Sequence, residues 1–299
     1  FGELCRQIAA YGAKQLIIFD IYENNAYDIE QELRRKYPSM NLVALIGSVR
    51  DTGCLEKVFS TYHPQLIFHA AAHKHVPLME TSPNEAIKNN VFGTYNTARF
   101  ANEYGAEKFV LISTDKAVNP TNIMGASKRI MEDLVMAYNS HFKVTTARFA
   151  NVAFSNGSLP DGWIHRLQKK QPLAAPSDVK RYFVSPEESG QICMLACILG
   201  NGGEVFFPKL GEDQMLTFSA ICDDFVKAEG LKKVECANDA EAKAKANAIS
   251  YDSEEYPVVY FKSDTTGEKA YEEFYVPGEK VNMERFMALG VVEETTRRD

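Results

Sequence analysis

The chain contains no uninterrupted apolar run of 18 residues, so no segment of it is suited to cross a bilayer as a helix. It has no Cys-x-x-Cys pair. Its six cysteines (Cys5, Cys54, Cys193, Cys197, Cys222 and Cys236) stand apart without ligand spacing, which argues against a zinc site or a disulfide scaffold. Unpaired thiols fit a reduced, cytoplasmic setting. Positive charge is not in surplus: 33 Lys and Arg face 40 Asp and Glu, and the net charge of -7 is dispersed. Nucleic acid and anionic membrane are therefore poor partners. No leader pattern opens the chain and no internal repeat is visible. What remains is an ordinary globular composition, 299 residues with 45% apolar and 24% charged, enough for one large domain or two.

Apolar strands alternate with amphipathic helices through the first half. Strands are expected at Gln15–Phe19, Leu42–Ile46, Leu66–His69, Phe109–Ile112 and Val144–Phe149. Helices are expected at Tyr27–Tyr37, Thr52–Tyr62, Asn84–Tyr104 and Gly125–Asn139. Continuous Val/Ile/Leu strands between helices imply an α/β fold, a parallel sheet covered on both faces. Ligands in such sheets bind beyond the carboxyl ends of the strands. The pattern loosens after Asn151. Glu204–Phe207 reads as a return to the sheet, Lys232–Ser250 as an Ala/Glu/Lys-rich helix, and Val258–Phe261 and Glu272–Val276 as short strands.

One stretch carries chemistry. The strand Phe109–Ser113 delivers Thr114, Asp115 and Lys116 side by side, and Lys128 follows twelve residues later. A hydroxyl, a carboxylate and an amine at one strand tip suit proton transfer. Four residues before Lys128 stands Met124, whose thioether neither donates nor accepts a catalytic proton. A literal Tyr-x-x-x-Lys occurs at Tyr104–Lys108, but Gly105 reads as a helix C-cap and places those two residues on a turn.

The segment from Thr114 to Lys128 resembles the active-site stretch of the extended short-chain dehydrogenase/reductase superfamily. Thr-Asp-Lys with Met124 in the tyrosine slot resembles a nucleotide-sugar 4,6-dehydratase subgroup of the polysaccharide biosynthesis protein family. The resemblance implies a Rossmann-type doubly wound sheet over residues 1–155, with the first strand and most of the Gly-rich loop absent. A smaller substrate-binding part is implied over 156–299, with 204–208 returning to the sheet. It implies NAD as cofactor, with Gly2 as the last glycine of the pyrophosphate turn, Asp20 on the adenosine ribose, Asp51 near the adenine, and Ala70, Ala71 and Ala72 allowing close backbone approach. Asp20 would repel a 2'-phosphate, which favours NAD over NADP. Asn90 matches a helix asparagine that steadies the active-site backbone, and Lys128 matches the lysine on the nicotinamide ribose. His69, His73 and His75 also invite a zinc reading, but no carboxylate or Cys spacing supports one, so no metal is expected.

On the substrate side the resemblance implies Lys74, His75 and Met124, then Asn151 in Arg148–Ser158 and Arg181 in Lys180–Phe183. Phe154 departs from the family's glycine. Gly267–Glu273 resembles a carboxy-terminal Gly-Glu-Lys motif in which Thr265 and Thr266 replace Arg-Pro. The implied substrate is UDP-N-acetylglucosamine. The implied reaction is oxidation at C4, loss of water across C5 and C6, and reduction at C6, with Asp115 as acid, Lys116 as uncharged base and Thr114 on the 4-oxygen. The 4-hydroxyl proton must leave through Thr114, water or Asp115. A 4-epimerase and a non-catalytic NAD-binding sensor of the same fold are the competing readings. The helices at 84–104 and 125–139 match those that pair in dimers of the superfamily, so a homo-oligomer is expected.

Overall fold

A computed structural model describes residues 1–250, 252–263 and 272–294, with Glu294 described by its backbone alone. The chain divides into two compact units. One comprises Phe1–Phe149, Glu187–Lys209 and Glu273–Asp299, the other Ala150–Pro186 and Leu210–Glu272.

The first unit opens with α1 (Gly2–Ala10), β1 (Gln15–Asp20), α2 (Glu23–Lys36) and β2 (Asn41–Ile46). The two strands pair in parallel, from Gln15 opposite Asn41 to Asp20 opposite Ile46. Leu16, Ile18 and Leu42 on the strands bury against Ile29 and Leu33 of α2 and Cys5 of α1. α2 starts four residues earlier than its apolar spacing suggests, and its last turn carries Arg34, Arg35 and Lys36, which suit the negative end of the helix. Next come α3 (Thr52–Tyr62), β3 (Leu66–His69) and α4 (Val76–Thr81).

The segment expected as one long helix is interrupted. It runs as α5 (Pro83–Ala86), a π-helical stretch Ile87–Phe92, and α6 (Gly93–Glu103). Buried Asn90 sits in the π segment, and Thr94 Oγ1 donates to its carbonyl at 2.5 Å. Such widened turns recur where a side chain must be redirected. Tyr104 ends α6 and Gly105 takes φ +74, so Tyr104 and Lys108 belong to different elements. Then follow β4 (Lys108–Thr114), a tight turn Asp115–Ala117, α7 (Ile123–Met136) and β5 (Lys143–Phe149). The core here is Phe59, Phe100, Phe109, Leu111, Met131, Phe142 and Val144.

The remaining elements are β6 (Asn151–Val152), α8 (Leu159–Gln168), β7 (Leu173–Pro176), β8 (Lys180–Arg181), β9 (Phe183–Val184), α9 (Pro186–Leu199) and β10 (Val205–Pro208). After these come β11 (Leu216–Thr217), α10 (Phe218–Ala228), β12 (Lys232–Cys236), α11 (Asp239–Asn247), β13 (Glu255–Phe261), β14 (Lys280–Asn282) and β15 (Leu289–Glu294). The main sheet has the order β14-β15-β10-β5-β4-β3. β3, β4, β5 and β10 run parallel, while β15 joins β10 antiparallel, Val205 facing Val292. The expected return near 204–208 is thus β10, and α9, β14 and β15 join the same unit.

The second unit holds a three-stranded parallel sheet, β12-β13-β7. Trp163, Cys222, Phe225 and Val226 pack with Leu173, Tyr256 and Val258 of its strands, while Ala242 packs with Cys236 and Val259. The helix expected over Lys232–Ser250 is therefore a strand followed by a shorter helix. Glu272–Val276 forms no strand. Residues 265–271 of the Gly-Glu-Lys motif lie outside the described residues.

Candidate active site

The carboxyl end of β4 gathers the predicted catalytic side chains of the first unit. Thr114 closes the strand in extended conformation, and Asp115 and Lys116 form the turn after it. Thr114 Oγ1 donates to Asp115 Oδ1 at 2.7 Å, and Lys116 Nζ lies 3.4 Å from the same oxygen. Asp115 is 2% exposed, whereas the Lys116 side chain is 29% exposed. One carboxylate oxygen thus meets both a hydroxyl and an amine, with the amine reaching toward solvent.

Local sequence dictates this geometry. Asn122 caps α7 by accepting from Gly125 N at 2.8 Å, and Glu80 accepts from Ile123 N at 2.8 Å. Gly125 lies so close to the Lys116 carbonyl that a Cβ there would overlap the oxygen. The Asp115–Ala117 turn and the first turn of α7 are in direct backbone contact for that reason. Asn119, with φ 45, donates to Glu273 Oε2 at 3.4 Å and holds the far side of the loop.

Lys128 lies one helical turn beyond Met124. It is 7% exposed and donates to Ile112 O at 3.2 Å. Burial drives its pKa down to about 8, and Glu132 pulls it partly back. An ammonium carries three donors, and this is the single hydrogen bond Lys128 makes among the described residues. Glu132, four residues on, forms a two-pronged pair with Arg148, Nε to Oε1 at 3.0 Å and Nη2 to Oε2 at 2.7 Å. Burial would raise the Glu132 carboxyl, and the guanidinium outweighs it, so its pKa falls. Arg148 Nη1 donates to Phe274 O at 2.7 Å. Neither Glu132 nor Arg148 was assigned a role from the sequence. The Lys-x-x-x-Glu spacing from Lys128 was the available sign of Glu132.

Asn90 behaves as a backbone clamp. Its Oδ1 accepts from His73 N at 2.7 Å, and its Nδ2 donates to His73 O at 3.2 Å and to Ser127 Oγ at 2.9 Å. The loop after β3 is thereby tied to the residue preceding Lys128. His69 Nε2 lies 2.9 Å from Thr94 Oγ1. Because the Thr94 proton goes to Asn90 O, His69 Nε2 is the donor. Burial, aided by the Lys128 charge, drops the His69 pKa to about 3, so the ring is neutral. His73, Lys74 and His75 are exposed, and partial burial followed by the Lys74 charge lowers the His75 pKa. Among the described residues no group of three His, Cys, Asp or Glu is placed to hold a metal.

Asp20 ends β1 and accepts from Tyr22 N at 2.8 Å. Asp51 caps α3, accepting from Cys54 N at 3.0 Å, so one of its oxygens already has a structural partner. Ala71 and Ala72 lean on the main core, Ala70 is half-buried, and Gly2 begins α1. Met124, expected at the substrate, is 2% exposed and packs with Met79 and Ala86, where an unbranched thioether fills an apolar gap. Asn151 and Arg181 belong to the second unit. Asn151 Nδ2 donates to Glu272 Oε1 at 2.9 Å, and Arg181, 5% exposed, folds Nη1 onto Lys180 O at 2.7 Å. A cavity of about 720 Å³ in the second unit, lined among others by Arg166, Lys243, Val259 and Tyr260, contains none of the predicted site residues. All six cysteines are unpaired. Among the described residues no helix is long and apolar enough to cross a membrane.

A family model described as "Polysaccharide biosynthesis protein" matches residues 1–294. The capsular polysaccharide biosynthesis protein CapD of Staphylococcus aureus is 39% identical over 216 residues, 71% of this chain and 36% of that protein. A UDP-N-acetylglucosamine 4,6-dehydratase (inverting) of Campylobacter jejuni is 34% identical over 175 residues, 55% of this chain and 51% of that one. The chain thus spans about a third of the length of the first relative and half of the second. The X-ray structure of Pen from Bacillus thuringiensis superposes with a TM-score of 0.79 at 22% identity, covering 98% of this chain and 84% of that one, a likeness of fold.

Proposed function

The chain belongs to the polysaccharide biosynthesis protein family, and from that premise we propose that it is a UDP-N-acetylglucosamine 4,6-dehydratase working with NAD. The observation that carries this reading is the shared oxygen of Asp115, in contact with both Thr114 and Lys116. An epimerase needs a base for the 4-hydroxyl proton and rotation of the ketone, but no acid for a departing 6-hydroxyl and no base for a C5 proton. An elimination needs both.

The donor set suits a dinucleotide. Lys128 holds a buried ammonium with donors to spare for ribose hydroxyls, and Asp20 supplies an acceptor at the end of β1. NAD, when bound, would supply the hydride acceptor for C4 and the hydride donor for C6. Thr114 Oγ receives the 4-hydroxyl proton while passing its own to Asp115 along the 2.7 Å contact. Asp115, now a neutral acid, gives that proton to the departing 6-hydroxyl. Lys116 Nζ takes the C5 proton and returns it to C5 after reduction at C6. The protons balance, and one water is lost per turnover. This route gives the 4-hydroxyl proton a path that Met124 cannot provide.

Incubation of the chain with NAD and UDP-N-acetylglucosamine, read by mass spectrometry, tests the reading. Loss of one water is expected. Unchanged mass with altered stereochemistry would refute the dehydratase in favour of the epimerase. Lys116→Ala is expected to abolish water loss while NAD binding persists, and near-normal turnover in that variant would remove Lys116 as the base.

A further inference from the structure

We propose that Glu272 is a positioning residue for the nucleotide sugar, acting through Asn151 and through the backbone next to Arg181; this rests on the reading above. Glu272 is 8% exposed. Its Oε1 accepts from Asn151 Nδ2 at 2.9 Å and its Oε2 from Tyr182 N at 2.5 Å. These two donors stand at the start of β6 and just before β9, strands that pair in parallel with Asn151 opposite Phe183. A single carboxylate therefore bridges both strands.

An ionised carboxylate accepts and never donates. Glu272 consequently turns the Asn151 amide with its nitrogen inward. Asn151 Oδ1 and the second N–H are then the groups left to meet a ligand, in one fixed orientation. The same carboxylate holds the peptide N–H that follows Arg181, whose buried guanidinium is itself folded onto the Lys180 carbonyl. Both residues of this unit that the family resemblance puts at the nucleotide sugar are set by one acid. A glutamine of the same size would present an NH2 group to Asn151. The Asn151 amide would then turn over and exchange its donor and acceptor.

UDP is the probe, its dissociation constant measured by titration calorimetry for the wild type, Glu272→Gln, Asn151→Ala and the double variant. Water loss from UDP-N-acetylglucosamine and thermal midpoints are recorded alongside. Glu272→Gln is expected to weaken UDP binding by about tenfold, the loss of one charge-assisted hydrogen bond. KM should change more than kcat, and because the glutamine carbonyl still accepts from Tyr182 N, the double variant should bind no more weakly than Asn151→Ala alone. An unchanged UDP affinity in Glu272→Gln, or an equal further loss in the double variant, overturns the proposal. If Glu272→Gln does not fold, Glu272→Asp takes its place, since the shorter carboxylate cannot span both donors; it too must weaken UDP binding, and an unchanged affinity overturns the proposal. A wild-type chain that binds UDP but releases no water overturns the dehydratase reading and leaves the Glu272 comparison readable.

Discussion

Gly125→Ala separates catalysis from stability in a way few substitutions at this site can. Gly125 is the third residue of α7 and has ordinary helical geometry, so alanine there should favour the helix by roughly 0.5–1 kcal/mol. The added Cβ, however, would lie closer than 3.0 Å to the Lys116 carbonyl oxygen, and ordinary contact begins at 3.4 Å. Backbone stands on both sides, so no side chain can swing away. The turn carrying Asp115 and Lys116 must part from α7 by about 1 Å, a misplacement that typically lowers turnover on the order of 100-fold. That corresponds to about 2.7 kcal/mol on the barrier. The strain opposes the helical gain, so the melting point should move by only a few degrees. Lys128 lies further along α7, anchored to Ile112 O, and Asn90 belongs to the π-helical stretch, so NAD affinity should hold. The assays are water loss by mass spectrometry, NAD titration and thermal unfolding. Near-wild-type turnover in a folded Gly125→Ala protein would refute the claim that this contact positions the catalytic turn.

Lys128→Met should remove the penalty for burying an ammonium whose pKa falls from 10.5 to about 8. The folded state binds that proton less tightly than the unfolded state, so the penalty is full below pH 8 and is relieved by about 1.4 kcal/mol per pH unit above it. The variant's stability advantage at pH 7 should therefore shrink by pH 9 in denaturant titrations, although turnover should be lost. His69 refuses a proton down to about pH 3, while the unfolded chain accepts one near 6.5. Stability should fall by about 1.4 kcal/mol per pH unit as acidity increases below 6.5, and His69→Gln should lose that share of the slope. Glu132→Ala would strand Arg148 without its bidentate partner and should lower stability by roughly 3–5 kcal/mol in urea melts.

The parts of the fold legible in the sequence are those where local and tertiary signals agree. β4 is a continuous apolar run buried on both faces, and α7 carries its own asparagine cap. β12 reads as helix in the sequence because Lys232–Ser250 is rich in Ala, Glu and Lys, which favour helix. It buries Cys236 and owes its extended form to pairing with β13, a context no local propensity records. β15 is hard to read because Gly290 separates Leu289 from a short Val291–Val292 pair. At the site, Thr114, Asp115 and Lys116 were visible as adjacent residues, but the oxygen they share was not. Glu272 was visible only as one acid of a motif, because what it holds lies 121 and 90 residues away in the chain.

The placement of β15 bears on how the polypeptide acquires its shape. Leu289–Glu294 zips against Val205–Pro208, whose other neighbour is β5. Everything between 210 and 272 is synthesised before that zipper exists. A nascent chain emerging from the ribosome therefore carries an unpaired β10 edge for about 80 residues of translation, four to sixteen seconds at ordinary elongation speeds. Such an edge is a template for intermolecular association. Premature termination ahead of Leu289 would leave it permanently open, and those products should partition into inclusion bodies even though the residues around Asp115 are all present.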